Sequence, residues 1–190
     1  ACVKADSREG LLCPVGGADT MGKVASILGM EAATTEPMVA VVRCNGTCAA
    51  RPRVNQYDGV QSCAIASTLY GGETGCSFGC LGYGDCVSVC NFDAIHINPE
   101  TGLAEVDEEK CIACGQCAKV CPQNLIKIHD CANYIVVKCS NKEKGAVARK
   151  QCEVSCIGCG ICEKTCTAGA IHVEDNCAVI QEDICLSCGM

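Results

Sequence analysis

Cysteine is the residue type whose number and spacing could do chemistry in this chain. The sequence has 23 cysteines among 190 residues, but only two phenylalanines, four tyrosines and no tryptophan. One group of four forms the run Cys111-x2-Cys114-x2-Cys117-x3-Cys121, which is followed directly by Pro122. This spacing is typical of thiolate ligands to iron–sulfur clusters, where the first three cysteines bind one cluster and the fourth binds its neighbour. The run therefore predicts a pair of [4Fe–4S] clusters.

The group of cysteines that precedes this run departs from the regular spacing. A regular run ending at Cys90 places its other ligands at positions 80, 83 and 86, but position 83 is a tyrosine. Cys76 lies four residues before Cys80, and we expect it to replace the missing ligand. The predicted ligands of the first cluster are Cys76, Cys80, Cys86 and Cys121, and those of the second cluster are Cys90, Cys111, Cys114 and Cys117.

The same pattern recurs in the C-terminal part of the chain. A regular run ends at Cys166 and is followed by GAIHVE, as Cys90 is followed by DAIHIN. This repeat, with a period of roughly 70 to 75 residues, predicts a second dicluster module. Its ligand sets are incomplete in the sequence. One cluster of this module has Cys156, Cys159 and Cys162, and the other has Cys166, Cys185 and Cys188.

The remaining cysteines allow several interpretations. Cys44, Cys48 and Cys63 could hold a further cluster, completed by Cys139 or Cys152, or they could be structural thiols. We interpret Cys2, Cys131 and Cys177 as structural, because no histidine or helix dipole beside them is evident in the sequence. In total we expect at least two and up to five [4Fe–4S] clusters. The chain begins with Ala1 and stops inside a fourth run, so we also expect it to be a segment of a longer protein.

Composition and spacing weigh against other classes of protein. The tight CxxCxxC spacing and the odd number of cysteines argue against a disulfide scaffold, and four cysteines in one run favour iron–sulfur over zinc. The net charge of -7 argues against a nucleic-acid partner. No apolar run approaches the roughly 18 residues that cross a bilayer. No catalytic acid–base pair, nucleophile or dinucleotide loop is present, so we expect no catalytic site.

The elements that must position the cysteines are short. We predict an α+β fold of tandem bacterial dicluster-ferredoxin-like modules, preceded by an N-terminal α/β segment that contains cysteines. The helix of MGKVASILG is expected to begin near Asp19 and end at Gly29, and ANYIVVKC is expected to form a strand. The predicted units are 1–36, the end of an upstream cluster domain with a short helix; 37–75, a strand–helix segment; 76–130, the first module; 131–151, a basic bridge; and 152–190, the second module, incomplete.

The basic bridge is unusual in an acidic protein. Five cations stand against the single acid Glu143. This island is either a solvated face or a docking surface for an acidic redox partner. Its cations are Lys138, Lys142, Lys144, Arg149 and Lys150.

The order of the motifs resembles one known family. GLLCPVGG, MGKVASILG, RCNGTC, CSFGCLGYGDC and CIACGQCAKVCP follow one another as in the B subunit of the Rnf complex, a membrane-bound, ion-translocating ferredoxin:NAD+ oxidoreductase of bacteria. The resemblance covers essentially the whole chain. It implies an N-terminal membrane anchor and an upstream cluster domain, to which Cys13 would contribute the last ligand. Tyr83, and Asn91 and Thr167 where ferredoxins often have proline, depart from the plain ferredoxin pattern.

The family's role implies the partners. A protein of this family would accept electrons from reduced ferredoxin at the cytoplasmic face of the inner membrane and pass them to the other subunits of the complex. Those subunits would reduce NAD+ and move Na+ or H+. Two alternatives stay open at this point. One is a polyferredoxin subunit of a soluble bifurcating oxidoreductase or hydrogenase, and the other is a zinc-binding structural adaptor.

Overall fold

The computed structural model describes residues 16–29, 37–69, 71–131 and 135–189. In this part of the chain every helix after the first has seven residues or fewer. The helices are α1 (Gly17–Leu28), α2 (Cys63–Leu69), α3 (Asp85–Ser88), α4 (Gln116–Val120), α5 (Gly145–Gln151) and α6 (Ile161–Thr165). The strands are β1 (Met38–Val42), β2 (Ile95–Ile97), β3 (Ala104–Val106), β4 (Ile126–Asp130), β5 (Ile171–Glu174) and β6 (Cys177–Ile180).

The strands form antiparallel pairs. β2 pairs with β3 and β5 pairs with β6 as hairpins, with Ile95 opposite Val106 and Ile171 opposite Ile180. The third pair joins β1 to the distant β4 in the register Met38 to Asp130. Because hairpins form locally whereas the β1–β4 pair closes a long loop, this third pair ties the N-terminal segment onto the first cysteine module.

Small aliphatic side chains and cysteines make up the buried core of the first module. The fully buried members of this core are Ala40, Cys86, Ile95, Ala104 and Ile126. Half-buried cysteines of both runs pack around them. Aromatic rings usually dominate the packing of a core, and they are replaced here by thiols. The arrangement therefore depends on what the thiols bind.

The cysteine runs share one backbone shape. A glycine in the left-handed region stands directly before each short helix of the runs: Gly84 at φ 82°, Gly115 at φ 74° and Gly160 at φ 70°. This conformation is accessible to glycine at little cost, and it turns the chain so that the third cysteine enters the helix. Left-handed residues recur two positions after the first cysteine of all four runs. They are Gly82, Ala113, Gly158 and Ser187.

The two cysteine-rich halves contact each other directly. The buried His129 of β4 lies 2.8 Å from Glu182 Oε1, where a 3-10 turn, Glu182–Ile184, follows β6. Glu153 N donates to Ala50 O at 3.0 Å. The two halves therefore pack as neighbours through side-chain and backbone contacts.

Two local predictions were wrong. The first helix begins at Gly17 with Gly16 as its N-cap, so Asp19 lies in the first turn and caps nothing. Residues 135–139 form no strand. Two of their carbonyl groups accept hydrogen bonds from a side chain instead, because the guanidinium of Arg43 donates to Val137 O at 3.4 Å and to Cys139 O at 3.3 Å. The predicted end of α1 at Gly29, in the left-handed conformation, is confirmed.

Candidate iron–sulfur sites

The four cysteines predicted to bind the second cluster line one open cavity of about 370 Å³. Three of them come from the run that leads into α4, and Cys90 comes from the end of the preceding run. The N–H of Ala40, on β1, donates to Cys111 Sγ at 3.4 Å. Burial raises the pKa of the Cys117 thiol, and the neighbouring Cys111 and Cys114 raise it further.

A second cavity, of about 400 Å³, gathers a set of four that differs from the predicted one. Cys80, Cys86 and Cys121 line it as expected, but the fourth cysteine is Cys63. Burial raises the pKa of Cys86 to about 12, and the charges of Cys80, Cys63 and Cys121 add to the effect. The structure does not bring Cys76 to this cavity. Four thiols whose charges oppose one another in a buried place are suited to a cationic group.

Helix α2 carries Cys63 to the cavity, and Asp85 holds the start of that helix. The Asp85 carboxylate accepts hydrogen bonds from Ser62 Oγ, Cys63 N and Ala64 N, each at 3.0 Å. Burial raises the pKa of Asp85, but the N–H groups of Ala64 and Cys63 and the Ser62 hydroxyl outweigh it and hold the pKa below its usual range. Asp85 directly precedes Cys86, so one residue joins two cysteines that are distant in sequence.

Tyr83 occupies the position at which the regular spacing would place a ligand. Its ring packs against Tyr57, with the ring centroids 5.7 Å apart and the planes tilted by 54°. Spacing rules could not assign Cys63 to this cavity, because it lies far outside the run. A usable signal was the short helix that begins at Cys63, combined with the missing ligand at position 83.

A third cavity, of about 280 Å³, is lined by Cys44, Cys76, Cys139 and Cys152. Cys76 and Cys152 are each only 5% exposed. The thiol of Cys177 and the N–H groups of Asn141 and Cys156 lower the pKa of Cys139 to about 5.

The cysteines proposed from sequence for a further cluster are therefore divided. Cys44 lines the third cavity with both Cys139 and Cys152, whereas Cys63 lines the second. Cys48 is exposed, and its backbone N–H donates to Thr101 O at 2.9 Å. Cys48 therefore lies against the turn of the β2–β3 hairpin and lines neither the second nor the third cavity.

The cysteines of the two C-terminal runs are more open to solvent. Cys159 and Cys188 are exposed, and Cys162, which lies on α6, is half-buried. The Sγ atom of Cys166 accepts a hydrogen bond from Ala170 N at 3.3 Å, and this N–H together with neighbouring N–H groups lowers the pKa of Cys166. Cys156 and Cys185 are half-buried. Cys13 lies outside the described residues.

The chemistry of these donor sets suits a multi-iron group. Within the described ranges, no three or more His, Cys, Asp or Glu side chains form a group arranged to hold a metal ion. A zinc ion draws four sulfur atoms to about 2.3 Å from one point. Each of the three cavities is lined by four cysteines, and soft thiolate ligands favour iron–sulfur clusters among other soft-metal groups.

Comparison with known proteins agrees with this chemistry. Residues 77–128 match the 4Fe-4S dicluster domain family. The chain is 48% identical over 176 residues to the B subunit of the Na(+)-translocating ferredoxin:NAD(+) oxidoreductase complex of Acetobacterium woodii, covering 93% of this chain and 53% of the relative. It is 36% identical over 192 residues to the B subunit of the ion-translocating oxidoreductase complex of Methanosarcina acetivorans, covering 100% of this chain and 72% of the relative.

A third relative is the B subunit of the proton-translocating ferredoxin:NAD(+) oxidoreductase complex of Clostridium ljungdahlii, at 40% identity over 178 residues, with 94% of this chain and 62% of the relative covered. The fold and the cysteine sites thus define an iron–sulfur protein that carries multiple [4Fe–4S] clusters. The chain belongs to the family of B subunits of ion-translocating oxidoreductase complexes, which confirms the resemblance to the Rnf complex.

The chain spans 53% and 62% of the length of the Acetobacterium woodii and Clostridium ljungdahlii relatives. Among residues 16–29, 37–69, 71–131 and 135–189, no helix is both long and apolar enough to cross a membrane.

Proposed function

We propose that this chain is a multi-cluster electron relay of a membrane-bound, ion-translocating ferredoxin:NAD+ oxidoreductase. One observation carries the proposal: the two cysteine runs of the first module exchange their last ligands. Cys90, from the first run, lines the cavity of about 370 Å³ that contains the first three cysteines of the second run. Cys121, from the second run, lines the cavity of about 400 Å³ that contains Cys80 and Cys86 of the first run. Such an exchange places two clusters side by side, as in two-cluster ferredoxins.

The ligands that we propose follow the two cavities. Cys90, Cys111, Cys114 and Cys117 hold one cluster. Cys80, Cys86, Cys121 and Cys63 hold the other, and Cys63 takes the place that the spacing alone gave to Cys76. The family match over residues 77–128 begins after Cys63, so the contribution of this residue rests on the geometry.

The protein's own task in this relay is to bind the clusters and tune them. A [4Fe–4S] cluster, when bound, supplies one-electron transfer. The surrounding chain limits access of water by packing Ile95, Ala104 and Ile126 between the cysteines. Backbone N–H groups such as that of Ala40 donate to the sulfur atoms, and such hydrogen bonds raise or lower the potential of a cluster.

The C-terminal half is best interpreted as a second module, which makes the fold a tandem. In this proposal residues 76–130 are the first module, 131–151 the basic bridge and 152–190 the second module. The shared left-handed positions of all four runs, and the β5–β6 hairpin that parallels β2–β3, support it. Two further clusters would then be bound by ligand sets that include Cys156, Cys159, Cys162, Cys166, Cys185 and Cys188.

The partners follow from the family. The named relatives are subunits of complexes that use ferredoxin and NAD(+). We infer that reduced ferredoxin is the electron donor, that other subunits of the complex accept the electrons, and that a further segment anchors the chain at the cytoplasmic face of the membrane. An acidic donor is suited to the basic bridge, where Lys138, Lys144, Arg149 and Lys150 are all exposed.

Anaerobic mixing with a catalytic amount of ferredoxin, which an enzymatic system keeps reduced, tests the relay. We expect bleaching of the broad absorbance near roughly 400 nm that iron–thiolate charge transfer produces. Reversal of charge at Lys144, Arg149 and Lys150 should slow this bleaching at low salt, whereas reversal at the exposed Lys127 of β4 should not. Bleaching by dithionite but not by ferredoxin would contradict the choice of donor. A colourless, zinc-containing protein would contradict the relay itself.

A further inference from the structure

The third cavity contains a buried cation that pairs with no carboxylate among the described residues. Arg51 is 4% exposed and lines the cavity beside Cys44, Cys76, Cys139 and Cys152. Its Nε atom is buried and has no hydrogen-bond partner among the described residues. None of the ion pairs in the same part of the chain includes Arg51. A buried guanidinium that no carboxylate pairs with is strongly unfavourable, so the cavity is suited to an anionic group.

The sulfur atoms of the cavity are already surrounded by hydrogen-bond donors. Asn141, which is 1% exposed, directs Nδ2 to Cys76 Sγ at 3.7 Å. Two further donors are backbone N–H groups, of Cys80 to Cys44 Sγ at 3.5 Å and of Cys156 to Cys139 Sγ at 3.3 Å. Donors directed at thiolate sulfur are the usual outer contacts of an iron–sulfur cluster.

These two backbone donors also show where the cavity lies in the chain. Cys80 belongs to a cavity of the first module, and Cys156 is the first cysteine of the C-terminal run. Cys44 and Cys76 come from the N-terminal side, whereas Cys139 lies within the basic bridge and Cys152 directly follows it. The four cysteines therefore lie between the two modules and contact a predicted ligand on either side.

We propose that Cys44, Cys76, Cys139 and Cys152 bind a third [4Fe–4S] cluster that joins the two modules, with Arg51 as its buried counter-charge. The proposal deepens the relay function on which it rests, because it supplies the step between the modules. A [4Fe–4S] core with four thiolates carries about two negative charges, and one more when it accepts an electron. The guanidinium therefore stabilises the reduced form more than the oxidised form.

Iron and sulfide analysis of the intact protein, prepared anaerobically, tests the site. The double variant Cys44→Ala/Cys152→Ala should lose about four irons and four sulfides per chain. It should keep the reduced-state EPR signals that disappear in Cys114→Ala. The matched control Cys48→Ala/Cys131→Ala removes two thiols that line none of the three cavities, and it should lose no iron. Unchanged iron in the first variant, or zinc in its place, would overturn the proposal and leave the relay of the first module standing.

A second measurement does not depend on deleting a ligand. Arg51→Met keeps much of the side-chain volume and removes the charge, so the midpoint potential of the third cluster should move to more negative values. Arg51→Lys keeps the charge and should recover most of that shift. If Arg51 had only a structural role, through its hydrogen bond to Cys80 O, the midpoint potential would not depend on whether the side chain at position 51 is charged. Equal potentials in the Met and Lys variants would refute the counter-charge.

Discussion

Asp85 is the residue through which the first cluster site can be tested without touching a ligand. Its carboxylate accepts three hydrogen bonds at the start of α2, from Ser62, Cys63 and Ala64, each at 3.0 Å. Loss of a capping side chain costs about 0.5–2 kcal/mol. Because the acceptor is charged and serves three donors, we expect the upper end for Asp85→Ala, about 2 kcal/mol. A difference of this size changes an opening equilibrium by about 30-fold.

Native-state hydrogen exchange measures this opening directly. The N–H of Ala66 donates to Ser62 O at 2.9 Å within the first turn of α2, so its exchange should accelerate about 30-fold in Asp85→Ala. Release of iron to a chelator should accelerate as well, because Cys63 leaves the site whenever α2 opens. Asp107→Ala is the control: Asp107 accepts hydrogen bonds from Glu109 N and Lys110 N beside the other run and should leave α2 unchanged. Equal exchange of Ala66 in the wild type and in Asp85→Ala would refute the reasoning.

Three further outcomes are expected. Gly115→Ala places a side chain on a residue with φ 74° and should destabilise the protein by about 1–2 kcal/mol. Gly22→Ala in α1 should not destabilise it, and thermal unfolding of the two variants would show the difference. Leu125→Ala removes a side chain that is 2% exposed and should cost about 2–5 kcal/mol in denaturant unfolding, against nearly nothing for the exposed Leu186→Ala. Removal of iron by a chelator should abolish cooperative unfolding of the first module, because its core is built from thiols, and unchanged calorimetry would contradict this.

Sequence alone could locate those cysteines of a site that are separated by only a few residues along the chain. Cys111, Cys114 and Cys117 meet at one cavity because the intervening residues Ala113 and Gly115 adopt left-handed turns. Loops of this kind are local, so their geometry follows from the run itself. The hairpin β2–β3 was predictable for the same reason.

The parts that sequence could not locate depend on contacts between distant segments. Cys63 reaches its cavity only because Asp85, 22 residues further on, holds α2 in place. The pairing of β1 with β4 likewise depends on the packed first module. Cys76 is near Cys80 in sequence, but its burial with Cys139 and Cys152 is a tertiary property. Proximity along the chain therefore favours Cys80 as the neighbour of Cys76, whereas the structure places Cys76 beside Cys139 and Cys152.

Identifying the cysteine that completes the first cluster site tests the proposed relay most directly. EPR spectra and iron content of the dithionite-reduced Cys63→Ala and Cys76→Ala variants measure it, with Cys131→Ala as a thiol control that lines none of the three cavities. We expect Cys63→Ala to alter one of the two cluster signals of the first module and Cys76→Ala to leave both intact. Loss of a first-module signal in Cys76→Ala, with an unchanged spectrum in Cys63→Ala, would contradict this ligand set.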